Sequence, residues 1–159
     1  MNKFVKEYLP YIIIIIVVVL IRSYVVTPVI VNGSSMETTL SSNDMMLLNK
    51  MDKVDRFEIV VLNYNNDKLI KRVIALPGEY VECIDGIVYV NGNDIGDTYG
   101  SNKTEDFKRV YLSNNEYFVM GDNRGDSLDS RFIGAIKSNQ IMGTVDLRLF
   151  PFNKIGKVK

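Results

Sequence analysis

The chain has 159 residues, long enough for one ordinary domain, and its 19 Lys and Arg balance 19 Asp and Glu, which excludes a broad basic field for nucleic acid. The sequence contains no histidine and a single cysteine, Cys83, which excludes a Ser-His-Asp triad, a Cys-His dyad, His-ligated metal sites and an internal disulfide. Any acyl-transfer chemistry must therefore use Lys, Asp, Glu or an amine as its base.

An apolar run rich in Ile and Val dominates the N-terminal end, and residues 9–21 hold no charged side chain. A helix from residue 8 or 9 to residue 26 measures about 28 Å, close to the ~30 Å hydrocarbon core, provided that Arg22 extends to the interface. Lys3 and Lys6 precede the run, and such a positive flank stays on the cytoplasmic side. We therefore predict a cytoplasmic N-terminus at 1–8, a transmembrane anchor at 9–26 and an extracytoplasmic domain at 27–159. A cleavable secretory signal is the alternative, but no small-x-small cleavage site follows the run.

The rest of the chain is predicted to be mainly β. Short stretches of β-branched or apolar residues end at turn residues, and no long stripe of period 3.6 occurs beyond the anchor. The predicted strands are residues 25–31, 45–48, 57–62, 69–76, 80–84, 87–90, 117–120 and 143–150. Asp85-Gly86 predicts a hairpin turn between the fifth and sixth of them. The polar segment 93–106 is predicted to be a surface excursion.

A pair of serines, Ser34 and Ser35, follows the first predicted strand and precedes Met36. Serines in turns usually make local hydrogen bonds to the backbone, and that role is the default interpretation here. A serine nucleophile is the functional alternative, and it requires a base from elsewhere in the chain.

Two cations, Lys71 and Arg72, interrupt the apolar strand predicted at 69–76. Alternation along a strand points neighbouring side chains to opposite faces, so one of the two must face inward unless the strand lies at a wet edge. Burial lowers the pKa of a lysine because it removes solvation from the charged form. A lysine placed in this way can act as a base near neutral pH, which a histidine-free acyl-transfer enzyme requires.

An acidic loop with interspersed arginines occupies residues 121–134. Its aspartates do not follow the EF-hand pattern, and Arg124 and Arg131 interrupt them, which disfavours a calcium site. Ion pairs between Asp and Arg are the better structural interpretation.

Taken together, the anchor, the Ser35-Met36 turn, the strand around Lys71 and the acidic loop resemble a bacterial type I signal peptidase. The similarity extends from about residue 1 to residue 151 in the same order, with the shorter outer domain of Gram-positive members. It implies a mainly β, signal-peptidase-like domain of two antiparallel sheets in a partly open barrel, preceded by one N-terminal transmembrane helix. It also implies a membrane-bound serine endopeptidase that cleaves signal peptides from exported proteins after small residues, with no metal or other cofactor.

By the same resemblance, Ser35 is the nucleophile, Lys71 is the general base, and Ser34 occupies a variable position. Ser127 matches the hydroxyl that orients the lysine. The residues that match structural ion pairs beside the site are Arg72, Asp122, Asp129 and Arg131. The residues that would wall the pockets for small substrate side chains are Val31, Met36, Leu40, Leu69 and Ile70.

The chain departs from the family pattern in three places. Gly33 stands where some members have a serine that helps bind the oxyanion, which leaves the Ser35 backbone N–H and a second, unassigned donor. Thr38 replaces the proline that usually follows the Ser-Met turn. The pair Gly125-Asp126 is a variant within the acidic loop. None of these changes removes Ser35 or Lys71, so we expect an active enzyme.

The expected partners are the signal peptides of preproteins at the membrane surface and the lipid bilayer, with no nucleic acid and an oligomeric state that the sequence leaves open. The substrate is expected to add as an extended strand beside residues 29–31 or 69–71. A self-cleaving repressor is disfavoured because the chain has an apolar anchor and no basic DNA-binding region. The sequence also leaves open an inactive anchored β domain that binds exported chains, and a specialised peptidase for a single exported substrate.

Overall fold

The computed structural model describes residues 3–158, and the side chains of residues 7–158, so the predicted cytoplasmic segment 1–8 lies partly outside the described residues. Within this range the chain forms one long helix, a short second helix, two 3-10 turns and twelve strands. The helices and strands are α1 (Lys3–Tyr24), β1 (Val26–Ile30), β2 (Met45–Asn49), β3 (Ile59–Tyr64), β4 (Asp67–Ala75), β5 (Tyr80–Ile84), β6 (Ile87–Val90), β7 (Asn93–Asp94), β8 (Phe107–Tyr111), β9 (Glu116–Met120), α2 (Ser130–Ile133), β10 (Ile136–Lys137), β11 (Ile141–Phe150) and β12 (Gly156–Lys157).

The N-terminal helix α1 is apolar and stands apart from the β domain. Its segment Glu7–Tyr24 is long and apolar enough to cross a membrane, and none of that segment is buried against the rest of the protein. The helix ends at Tyr24, two residues before the predicted end of the anchor at 26. The reason is that Val26 already pairs with Asn49 in the first sheet.

The β domain consists of two antiparallel sheets that do not close into a barrel, which confirms the predicted mainly β architecture. The larger sheet has the order β1-β2-β11-β3-β4-β9-β10, with β12 paired to β11, and the smaller sheet has the order β7-β6-β5-β8. β1 pairs only with β2, and β9 pairs with β4 only from Arg72 onward. Within residues 3–158, β1 therefore has one edge free of strand partners, and the first half of β4, which pairs with β3 on one edge, has its other edge free.

Three apolar clusters hold the sheets together. One lies around Phe118 and Ile74 and joins the smaller sheet to the larger one. A second, which we call the turn cluster, packs Val31, Met36 and Leu40 against β2 and β3. The third surrounds Val60 and Val119 in the larger sheet. The turn cluster anchors the segment that carries Ser35.

The eight predicted strands all form, with ends that move by up to two residues. β8 was not predicted from the sequence, and neither were the short elements β7, β10, β12 and α2. The segment 93–106 is more than a surface excursion, because it begins with β7 and then packs back onto the domain. There the Tyr99 ring lies against Arg72, and Asp97 forms a buried ion pair with Arg124.

Candidate active site

Ser35 and Lys71 meet side chain to side chain although 36 positions separate them in the sequence. Lys71 Nζ lies 2.6 Å from Ser35 Oγ, within hydrogen-bond distance. Lys71 is only 2% exposed and sits on β4, where it pairs with Val60 of β3. The contact therefore joins a hydroxyl at the domain surface to an amine held on an interior strand.

The turn that carries Ser35 is held by the acidic loop. The Asn123 backbone N–H donates to the Ser35 carbonyl at 3.0 Å, and the Asn123 side-chain amide donates to the Ser34 carbonyl at 3.3 Å. The Ser34 hydroxyl donates to the Asp126 carboxylate. The Ser34 hydroxyl thus links the turn to the distant acidic loop instead of bonding to the local backbone as expected of a turn serine, whereas the Ser35 hydroxyl faces the lysine.

Close packing at Gly121 brings the acidic loop against the turn that carries Ser35. A Cβ at this position would overlap the Ser127 hydroxyl and the Ser35 carbonyl oxygen. Only glycine leaves room for the two segments to approach this closely. Gly121 was not singled out from the sequence, although its place at the start of the acidic loop, directly after β9, was a usable signal.

Two arginine–aspartate pairs flank the site. Arg72 binds both oxygens of Asp122, with Nε–Oδ1 at 2.9 Å and a terminal nitrogen at 2.7 Å from Oδ2. Arg131 binds both oxygens of Asp129, at 2.9 and 2.8 Å, and the Gly121 backbone N–H donates to Asp129 at 2.9 Å. The structure thus brings together the four residues assigned to structural ion pairs.

Both members of the Lys71-Arg72 pair are buried, whereas alternation required only one of them to face inward. Arg72 can be buried because its charged guanidinium group has partners inside the protein. It binds Asp122, it donates to the Phe57 carbonyl at 2.6 Å, and its guanidinium carbon lies 3.7 Å from the centre of the Tyr99 ring. Thr39 adds a hydroxyl bond to the same carboxylate. Tyr99 and Thr39 support the site, and neither was predicted to do so from the sequence.

Ser127 lies beside the site without the predicted contact to the lysine. Its hydroxyl oxygen is buried and completes no hydrogen bond with any residue in the described part of the chain. It packs against Gly121 and lies close enough to Asp129 to help lower the pKa of that carboxyl. The orienting role of Ser127 therefore stays a prediction.

Burial lowers the pKa of Lys71 from 10.5 to about 8. Asp129 and Asp122 oppose this shift because their negative charges favour the ammonium form, and Arg131 assists it. Burial alone would raise the pKa of Asp129, but hydrogen bonds from Arg131 and the Gly121 backbone outweigh that effect and lower it. Asp129 is consequently ionised near neutral pH, while a useful fraction of Lys71 is neutral.

A groove of about 520 Å³ runs between β1 and the first half of β4. Thr27, Val29 and Ile30 line one side, Lys68 and Ile70 line the other, and Asn32 lies at the end nearest Ser35. No group of three or more Cys, Asp or Glu side chains that could hold a metal ion occurs among the described residues.

The predicted pocket residues fall into two groups. Val31, Met36 and Leu40 are buried in the turn cluster, on which Ile70 also packs. Of these four, Ile70 alone lines the groove. Leu69 packs instead with the cluster around Val60, because its side chain alternates with that of Ile70.

Comparison with known proteins places this chain in a family. The family model "Signal peptidase, peptidase S26" matches residues 3–150. The chain is 38% identical to signal peptidase I of Bacillus amyloliquefaciens over 152 residues, which covers 86% of this chain and 82% of that relative. It is 37% identical to signal peptidase I S of Bacillus subtilis strain 168 over 151 residues, with coverage of 84% and 82%.

A solved structure shows the same relationship. The crystal structure of a signal peptidase I from Enterococcus faecalis V583 matches with a TM-score of 0.54 and 32% identity, and the match covers 58% of this chain and 97% of that one. The chain belongs to the signal peptidase family, peptidase S26, whose members are serine peptidases that cleave signal peptides at the membrane.

Proposed function

We propose that Ser35 is the nucleophile of this signal peptidase and that neutral Lys71 is its general base. The 2.6 Å contact between Ser35 Oγ and Lys71 Nζ, made by a lysine that is 2% exposed, carries the proposal. Removing a charged amine from water costs stability, so a lysine is seldom buried where its neutral form is not needed. A domain that only binds exported chains has no need to bury a lysine against a hydroxyl, so the geometry favours catalysis over an inactive binding domain.

In the acylation step, Nζ takes the proton from Oγ as Oγ bonds to the scissile carbonyl carbon. The resulting ammonium returns that proton to the leaving nitrogen as the C–N bond breaks, which leaves an acyl-Ser35 ester. In the second half, Lys71 deprotonates a water that attacks the ester, and the proton passes back to Ser35 Oγ as the signal peptide departs. One side chain thus serves as base and acid in turn.

The oxyanion that develops during attack needs donors near Ser35. The Ser35 backbone N–H donates no hydrogen bond within the described part of the chain, so it is free to donate one to the oxyanion. A single preorganised donor contributes about 2.7–4 kcal/mol to transition-state stabilisation in other enzymes. Rigid attachment of the turn to Asn123 keeps this N–H in place before the substrate arrives.

The substrate fits the groove as an added strand. Four antiparallel pairings separate β1 from β4 in the sheet order, so these two strands run in the same direction. Both present free backbone edges to the groove, which favours main-chain pairing with an extended peptide. The peptide enters at the end nearest α1 and reaches Ser35 at the far end.

We place the domain on the outer side of the membrane, with α1 as a single span and the lysine-bearing N-terminus in the cytoplasm. The apolar helix and the location of the groove mouth beside its end support this arrangement. Ser35 then works near the bilayer surface, where the apolar segment of a signal peptide is also held. Confinement to one layer raises the effective concentration of the substrate.

Replacement of the nucleophile tests the assignment of Ser35. We expect Ser35→Ala to lower kcat/KM on a synthetic signal-peptide substrate by at least about a thousandfold, because no other hydroxyl contacts Lys71 in the described residues. Ser34→Ala is the matched control. It removes only the hydrogen bond from the Ser34 hydroxyl to Asp126 in the acidic loop and should retain much of the activity. Near wild-type turnover in Ser35→Ala, with an unchanged far-UV spectrum, would assign the nucleophile elsewhere.

The dependence of the rate on pH tests the base. Below its pKa of about 8, Lys71 is protonated and has no lone pair for the Ser35 proton, so kcat/KM should rise through about pH 8 and level off above it. Lys71→Arg should be inactive across the range, since a guanidinium stays protonated. A flat profile from about pH 6 to about pH 10, or turnover by the arginine variant, would be incompatible with a lysine base.

Substitution at Gly121 tests the packing of the loop on the nucleophile turn. A methyl group there must displace the Ser35 carbonyl or the Ser127 side chain, and a misplacement of about 1 Å typically costs about a hundredfold in rate. Gly125→Ala is the matched control, because a Cβ in that part of the loop meets no atom closer than 3.8 Å. Equal kcat values for the two variants would show that the close approach at Gly121 is not required.

A further inference from the structure

The anchor helix joins the groove through a short, hydrogen-bonded joint. α1 ends at Tyr24 and β1 begins at Val26, so a single residue, Val25, connects them. The Val25 N–H donates to the Ile21 carbonyl at 2.8 Å, and the Val25 carbonyl accepts from the Lys50 backbone N–H at 2.9 Å. Helix and sheet are therefore linked without any flexible segment.

Side chains from the sheet also cap the end of the helix. The last carbonyls of a helix have no partner within it, and they carry the negative end of the helix dipole. Lys50 Nζ donates to the Ser23 carbonyl at 2.8 Å and to the Arg22 carbonyl at 3.3 Å. Thr27 Oγ1 donates to the same Arg22 carbonyl at 2.7 Å. A cation is the favoured partner at this position.

The capping residues are also part of the groove mouth. Thr27 lies on β1, and Lys50 directly follows β2, whose last residue Asn49 pairs with Val26. Both side chains line the end of the groove where the substrate enters. Movement of the helix end must therefore move the mouth of the groove with it.

We infer that the joint formed by Lys50 and Thr27 is a specificity-determining element that fixes the height of the groove above the membrane and so selects the bond to be cut. The inference rests on the proposed placement of the groove at the outer surface. A peptide paired as a strand can shift only by two residues, about 7 Å, if its side chains are to keep their faces. The apolar segment of the substrate is held in the bilayer beside α1. A rigid joint keeps the groove at one height above that segment, so one of the two registers is favoured over the other.

The test uses the full chain in phospholipid vesicles and a precursor with small residues at alternate positions, so that two cleavage sites lie two residues apart. Mass spectrometry of the released products gives the ratio of the two cuts. This ratio is internal to each reaction and does not depend on the amount of active enzyme. The wild type is expected to favour one site strongly.

Lys50→Met should shift the product ratio toward the second site by about fivefold, the factor that corresponds to the loss of one net hydrogen bond. Lys50→Arg keeps donors for the helix carbonyls and should restore most of the wild-type ratio. Thr27→Val is a second variant of the joint and should shift the ratio in the same direction as Lys50→Met. Lys68→Met is the matched control, because Lys68 also lines the groove but caps no carbonyl of α1 among the described residues.

A soluble peptide with the same alternate sites but no apolar segment separates this inference from the proposed function. Its product ratio should shift no more in Lys50→Met than in Lys68→Met, because no membrane-held segment sets its register. Wild-type cleavage of the peptide with no ratio change in Lys50→Met on the vesicle-bound precursor would overturn the inference while leaving the dyad intact. Equal shifts in Lys50→Met and Lys68→Met would also overturn it, since groove charge would then select the site. Absence of peptide cleavage by the wild type would contradict the proposed function itself.

Discussion

The removal of the Lys71 amine from water is the constraint on which the rest of the site depends. Burial brings its pKa down to about 8, and without that shift the Ser35 hydroxyl would face an ammonium group that cannot accept a proton. The interior position on β4 supplies the burial, and the turn cluster brings Ser35 to the amine. Sheet order and core packing therefore determine the proposed chemistry as directly as Ser35 and Lys71 themselves do.

The need to keep Lys71 partly neutral also bears on the charged residues around it. Asp122 and Asp129 both favour the charged form of Lys71. Each carboxylate is bound by two nitrogens of one arginine, Arg72 or Arg131. The positive charge of Arg131 acts against the two aspartates and lowers the pKa of Lys71. The ion pairs thus hold the acidic loop in place without returning the lysine to its charged state.

Much of the architecture could be predicted from the sequence, because apolar alternation marks the strands that bury one face. β8 escaped prediction because two charged residues, Lys108 and Arg109, occupy its centre and its side chains stay exposed or half-buried. The segment 93–106 was predicted to be a surface excursion because its polar composition does not reveal the Tyr99 ring against Arg72. Such a contact depends on tertiary packing that no local pattern encodes.

The site itself was predictable only in part from the residues. Two cations on one apolar strand indicated unusual chemistry, but the choice of Ser35 over Ser34 came from the family resemblance. The structure gives that choice a physical basis, since the Ser34 hydroxyl is occupied by Asp126. Gly121 and the Lys50 cap escaped prediction because their importance lies in atoms that approach from distant segments.

Direct titration of the Lys71 amine by nuclear magnetic resonance tests the central claim most closely. Lysine labelled at the ε carbon and ζ nitrogen would be followed against pH in the resting enzyme, and the signal missing from Lys71→Arg assigns the resonance. A lysine base predicts one resonance that titrates near pH 8, well apart from the others. A Lys71 resonance that titrates with the solvated lysines, at about 10.4, would contradict it.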